Sequence, residues 1–154
     1  MIAGVLAGCA SDDASAPDDG APGEASSAVT PGALTVEAAW ARPGGAGGMS
    51  ALYARVGNGT TSPDTLQAVS TEVARTVEIH ESYENDDGTR GMRPLGPIPV
   101  PAGQQIALAP GGKHVMLIRL RRALQPNDSL AVDFQFAQAG ARSMTVPVRL
   151  QPPQ

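Results

Sequence analysis

Short stretches of alternating apolar and polar residues recur along the chain from about residue 34 to residue 150. The clearest covers 130–136, where the even positions are apolar and the odd positions are small or polar. A period of two is typical of a β-strand with one buried face and one solvated face. No segment of eleven residues carries an apolar stripe with the 3.6-residue period of a helix. The pattern therefore predicts a domain built from short β-strands.

Seven to nine strands are predicted, separated by turn residues such as those of 85–88 and 126–128. The strand candidates are 35–42, 50–56, 65–70, 76–81, 105–108, 113–121, 130–136 and 143–150. The segment 98–101 is extended but contains two prolines, which predicts an edge strand or a loop. Eighteen glycines and fourteen prolines also favour turn-rich β structure. Closely spaced strands of this kind indicate an antiparallel sandwich or barrel in a single domain.

The ends of the chain differ from the predicted domain, which we place at 34–150. Residues 1–9 end in Leu-Ala-Gly-Cys, which resembles a truncated bacterial lipoprotein signal with Cys9 as the lipidated residue. Residues 10–33 are small, acidic or proline-rich and predict a disordered tether, and 151–154 form a short tail. No apolar run of about 20 residues follows Cys9. We therefore expect an extracytoplasmic domain, in the periplasm or on the outer cell surface, that reaches the membrane only through a lipid anchor.

Composition excludes several classes of function. Apolar residues make up 42% of the 154-residue chain but aromatic residues only 3%, so the core must be largely aliphatic. Five of the fifteen acidic residues lie in the tether, which leaves 10 acidic and 11 basic residues in the rest of the chain. A nearly neutral domain gives no support for nucleic-acid binding. The sequence also contains no nucleophile elbow, phosphate loop or paired catalytic carboxylates, so we do not expect an enzyme.

The candidate chemistry lies in two histidine–methionine pairs. His114 and Met116 are two positions apart in one predicted strand, so their side chains project about 6.6 Å apart on the same face. We expect Val115 between them to face outward, with the face of His114 continuing into the core. His80 and Met92 flank a predicted hairpin. Imidazole and thioether ligands together favour Cu(I) over harder ions, but strand methionines are usually packing residues. From these residues alone, a copper site and an ordinary pair of strands without a metal are equally good interpretations.

A longer pattern connects the two pairs. Eleven residues separate His80 from Met92, and twenty-one separate Met92 from the His114-Val115-Met116 motif. With the flanking segments 39–42, 52–53, 92–94 and 108–112, this pattern resembles the PCu(A)C family of periplasmic copper chaperones over residues 35–148. The resemblance implies a cupredoxin-like Greek-key β fold and a Cu(I) ion held by two histidines and two methionines. It also implies delivery of copper to an acceptor such as the dinuclear copper site of cytochrome c oxidase.

The resemblance leaves several points as expectations. The partner would be cytochrome c oxidase subunit II or a Sco-type chaperone, and we expect a monomer. Copper storage or buffering, and a metal-free Ig-like scaffold module on a lipid anchor, are the alternatives. Glu81 departs from family members that carry a methionine after the first histidine. Met49 is a further candidate ligand but is more typical of a surface residue, and Trp40 is expected to fill the core.

Overall fold

Ten β-strands form in the computed structural model of the protein, which describes residues 29–154. Their bounds are β1 Leu34–Ala41, β2 Met49–Asn58, β3 Asp64–Ser70, β4 Ala74–Glu84, β5 Arg90–Pro94, β6 Ile98–Val100, β7 Gln105–Leu108, β8 Lys113–Leu120, β9 Ser129–Phe136 and β10 Gly140–Pro147. The described residues contain no helix that is long and apolar enough to cross a membrane. The all-β fold class predicted from the alternation is confirmed.

The strands form two antiparallel sheets. The larger sheet has the order β1-β2-β8-β4-β5, and β7 continues the same edge of β2 that β8 occupies. The smaller sheet has the order β10-β9-β3-β6. The proline-containing strand β6 is at an edge, as its sequence predicts. A bridge between Ala41 and Val148 joins the two sheets along one side.

The core lies between the sheets and is largely aliphatic, with two phenylalanines. Its largest fully buried side chains are Phe134, Phe136, Leu52, Leu66, Leu117, Leu124, Val56, Val100, Val115, Val132, Val146 and Val148. The alternation in β9 gives the expected result, because its four apolar side chains are buried and the residues between them are exposed. Three further apolar or aromatic residues of the larger sheet are buried outside this core cluster: Trp40, Tyr53 and Met116.

One prediction about the orientation of β8 is wrong. Val115 is fully buried in the core, whereas His114 and Met116 point to the other face of the larger sheet. Their face does not continue into the core along the strand either. Ile118 is only half-buried, and Leu120 joins the core after Arg119, whose φ of 56° interrupts the regular backbone. A period of two shows that adjacent side chains face opposite ways, but not which face is packed against the second sheet.

The residues just before β1 are hydrogen-bonded to the domain. The backbone N–H of Gly32 donates to the carbonyl of Gly59 at 2.7 Å, and the N–H of Gly59 donates to the carbonyl of Ala33 at 2.8 Å. The last residues of the predicted tether are therefore hydrogen-bonded to the turn after β2. The rest of that segment, and Cys9 with the predicted signal, lie outside the described residues.

Candidate metal-binding site

The pairing of β4 with β8 places the two histidines directly opposite each other. His80 is the cross-strand partner of His114, and their ring centroids are 6.1 Å apart. Both lie on the outer face of the larger sheet, because Ile79 and Val115 beside them point into the core. His114 is buried, with 4% of its surface exposed, and 14% of the side chain of His80 is exposed. Two imidazoles that are distant in the sequence therefore form one cluster.

Met116 belongs to the same cluster. It follows His114 by two residues on β8, so the two side chains share the outer face. Its cross-strand partners are Glu78 on β4 and Ala51 on β2, and it is buried at 8% exposure.

Met92 lies at the rim of this cluster. It pairs with Ser82 on β4, while Pro94 is the residue opposite His80. Because Ser82 and His80 share a face, Met92 stands diagonally across from His80 on that face, at a separation that long side chains can bridge. Met92 lies on the edge strand β5, and 57% of its surface is exposed. The structure thus places the four predicted site residues on three adjacent strands, with three of them mostly buried and Met92 open to solvent.

The hydrogen bonds of the two imidazoles differ. Nδ1 of His114 lies 3.0 Å from the carbonyl oxygen of Gly112, which can only accept, so Nδ1 carries the proton and Nε2 keeps a lone pair. Nε2 of His80 lies 2.8 Å from a carboxylate oxygen of Glu78, and its Nδ1 is buried without a hydrogen-bond partner within residues 29–154. A buried polar atom without a partner is costly. A metal ion bound at Nδ1 would satisfy it, so the residues fit a metal site.

The donor set also restricts the metal. Within the described part of the chain, no three histidine, cysteine, aspartate or glutamate side chains form a group that could hold a metal ion. A metal here would therefore need the thioether sulfurs as well as the imidazoles. Such a soft, uncharged set suits Cu(I) and offers little to Mg²⁺ or Ca²⁺.

Tyr53, which sequence reasoning did not place at the site, borders the cluster, and Trp40 packs against Tyr53. The ring centroid of Tyr53 on β2 is 6.3 Å from that of His114 and 4.8 Å from that of Trp40 on β1. Trp40 is thus buried on the outer face rather than in the core between the sheets. Burial raises the pKa of Tyr53, and the positive charge of Arg42 partly offsets the rise. The alternation of β2, with Leu52 in the core, is the sequence signal that could have placed Tyr53 on the outer face.

Met49 stands apart from the four candidates. It begins β2 opposite Ile118 rather than opposite a histidine or methionine, and 62% of its surface is exposed. Its exposure agrees with the sequence-based interpretation of a surface residue.

Comparison with solved structures finds the same architecture in PCuAC domains. The apo PCuAC domain from PmoF1 is 30% identical, with a TM-score of 0.64, and the match covers 80% of this chain and 98% of that one. The copper-bound PCuAC domain from PmoF2 is 23% identical, covers 79% and 97% of the two chains and has a TM-score of 0.63. The solution structure of CuI-DR1885 from Deinococcus radiodurans is 22% identical, covers 77% and 80%, and has a TM-score of 0.58. At these lower identities, the similarity to the latter two structures establishes the fold alone.

The fold and the sequence together define a β domain of the PCuAC type. A protein of Leifsonia xyli subsp. xyli whose name describes a lipoprotein is 28% identical over 127 residues, which are 80% of this chain and 76% of that protein. The model of the LpqE-like lipoprotein family matches residues 34–148. The chain belongs to the LpqE-like family.

Proposed function

We propose that this protein is an extracytoplasmic Cu(I)-binding metallochaperone whose ligands are His80, Met92, His114 and Met116. The observation that carries the proposal is the register of β4 with β8 and β5, which brings these residues to one face of the sheet. The buried, unpartnered Nδ1 of His80 supports it further. Two similar structures are described as copper-bound or Cu(I) forms, which agrees with this choice of cargo.

The unequal exposure of the ligands suits transfer of copper. His114 and Met116 are buried and held by a central strand, whereas Met92 is exposed on the edge strand β5. An acceptor can approach the site from the side of Met92 and replace that thioether first, while the buried ligands still hold the ion. Stepwise replacement of this kind favours delivery over long-term storage or buffering. We propose as acceptor a copper site such as the dinuclear centre of cytochrome c oxidase subunit II, reached directly or through a Sco-type chaperone.

Membership of a lipoprotein family supports the proposed location. We propose that Cys9 carries the lipid and that the domain works outside the cytoplasm. Methionine and histidine ligands suit an oxidising compartment, where paired thiolates would tend to form disulfides.

The test is an anaerobic titration with Cu(I) in competition with a colorimetric chelator. We expect the wild-type protein to hold one equivalent. Met116→Leu removes the sulfur at nearly constant volume and should weaken binding by more than about tenfold, because even outer-shell partners contribute about 10–100-fold. His114→Ala should weaken binding at least as much. Affinity should also fall on acidification, because protons compete for the imidazoles.

The matched control is Met144→Leu, which makes the same exchange on β10 of the smaller sheet. It should leave Cu(I) affinity unchanged. The proposal fails if the wild-type protein does not hold one equivalent of Cu(I), or if Met116→Leu and Met144→Leu bind copper equally well. The second result would favour an ordinary scaffold module in which methionine and histidine only pack.

A further inference from the structure

Glu78 stands next to two of the proposed copper ligands. It precedes His80 by two residues on β4, so both side chains lie on the outer face of the sheet. Its cross-strand partner on β8 is Met116. One of its carboxylate oxygens is 2.8 Å from Nε2 of His80. Glu78 is therefore the acidic residue placed to act on the copper site through His80.

This contact determines which nitrogen of His80 is available. An ionised carboxylate can only accept hydrogen bonds, so the hydrogen of the neutral imidazole must be on Nε2. Nδ1 then carries the lone pair. That atom is buried and has no hydrogen-bond partner among residues 29–154. The free lone pair is thus on a buried nitrogen, while the N–H points to Glu78.

His114 has the opposite arrangement. The carbonyl of Gly112 accepts from its Nδ1, which leaves the lone pair on Nε2. The two imidazoles face each other across β4 and β8. Their hydrogen bonds thus leave the lone pair on a different nitrogen in each ring.

We infer that Glu78 is a positioning residue that makes His80 coordinate Cu(I) through Nδ1, whereas His114 coordinates it through Nε2. This inference rests on the proposed function. A hydrogen bond to the nitrogen that does not bind metal orients the ring and selects its tautomer. Because Glu78 is 43% exposed, the alternative is that water competes for its hydrogen bond with His80. In that case the ring would be free to turn, and loss of the carboxylate would change neither the tautomer nor copper binding.

The experiment is a long-range proton–nitrogen NMR correlation on protein labelled with ¹⁵N-histidine, recorded without metal and after anaerobic addition of one equivalent of Cu(I). Nitrogen shifts distinguish an N–H nitrogen, a free lone pair and a metal-bound nitrogen. We expect His80 to show N–H at Nε2 in both samples, and its Nδ1 signal to shift when Cu(I) is added. The signal of His114 that shifts should be Nε2.

Three variants separate positioning from simple packing. Glu78→Gln retains an oxygen that accepts from Nε2 and should keep the wild-type nitrogen pattern. Glu78→Leu removes the acceptor, should mix the two tautomers of His80 and should weaken Cu(I) binding by about tenfold. Glu81→Leu removes a carboxylate that instead bonds Arg93 at 2.9 Å, on the opposite face of β4, and should alter neither property.

The outcomes distinguish the inference from the function on which it rests. A wild-type protein that binds no Cu(I) refutes the proposed function, and with it the inference. Wild-type protein that binds Cu(I) through Nε2 of His80 overturns only the inference. The same holds if Glu78→Leu matches wild type in tautomer and affinity, or if Glu78→Gln loses the pattern as fully as Glu78→Leu does.

Discussion

Asp64 offers a test of how the smaller sheet is held together. It begins β3 and is 7% exposed. Its carboxylate accepts backbone N–H groups from Thr65 at 2.7 Å, Gln138 at 2.8 Å and Ala139 at 2.8 Å. The last two lie in the turn between β9 and β10, so one buried side chain ties that turn to β3. Burial alone would raise the pKa of Asp64, but the backbone hydrogen bonds together outweigh it and lower that pKa below its ordinary value of 3.8.

The substitution Asp64→Asn keeps the shape and changes the bonding. The amide oxygen can still accept from two N–H groups, but the amide NH₂ must then face the N–H of Ala139, which loses its acceptor. Leaving one buried N–H unsatisfied costs about 1–3 kcal/mol, and hydrogen bonds to a charged acceptor are each stronger than those to a neutral one. We expect a loss of about 3 kcal/mol in the free energy of unfolding at pH 7. For a domain of this size, that corresponds to a fall of about 10 °C in Tm.

The stability lost in Asp64→Asn should become smaller as the pH falls. Because the pKa of Asp64 is lowered in the folded protein, its charge stabilises the fold fully at pH values above 3.8. That contribution disappears as the pH falls through the lowered pKa. The difference between wild type and Asp64→Asn should therefore be largest near neutral pH and shrink in strong acid.

The assay is urea unfolding followed by circular dichroism at several pH values. Asp86→Asn, at an exposed position in the turn between β4 and β5, makes the same change of charge and should cost less than about 0.5 kcal/mol. The reasoning is refuted if Asp64→Asn costs no more than this control at pH 7, or if its cost is unchanged in strong acid. Copper affinity should be unaffected, because Asp64 lies in the other sheet.

Two further predictions concern the orientation of β8 and the anchor. Val115→Ala should lower the free energy of unfolding by about 2 kcal/mol, since it removes two methyl groups from a fully buried core position, while Cu(I) affinity changes little. A cost below about 0.5 kcal/mol in denaturant unfolding would indicate a solvent-facing side chain instead. Cys9→Ala should move the full-length protein from the membrane to the soluble fraction on cell fractionation, and unchanged membrane association would rule out the lipid anchor through Cys9.

The strands could be predicted because their side chains alternate. The buried phenylalanines of β9 and the exposed residues between them follow directly from a period of two. The edge position of β6 follows from its proline, which cannot donate to a neighbouring strand. The contacts of residues 30–33 with the domain were harder to predict. The turn at 30–33 bonds to Gly59, a contact between residues far apart in the sequence that composition does not encode.

For the candidate site, the sequence by itself predicted the kind of metal, although the residues alone leave an ordinary pair of strands equally open. Two histidines and two methionines at fixed spacing, without a thiolate in the domain, indicate a soft ion before any coordinates are known. It also determined that His114 and Met116 share one face, because that follows from their separation alone. The cross-strand partner of His80 could not be deduced, because the pairing and register of β4 with β8 are contacts between distant parts of the sequence.

Only the tertiary structure decided which face of β8 carries His114 and Met116. Val115 packs between the sheets, so His114 and Met116 point to the outer face, where Tyr53 and Trp40 cover part of it. A β8 strand with Val115 facing the second sheet and one with His114 facing it have the same alternation of side chains. They differ only in which face of the strand the second sheet packs against. The contact of Glu78 with His80 likewise depends on the rotamers of two side chains, which no spacing in the sequence specifies.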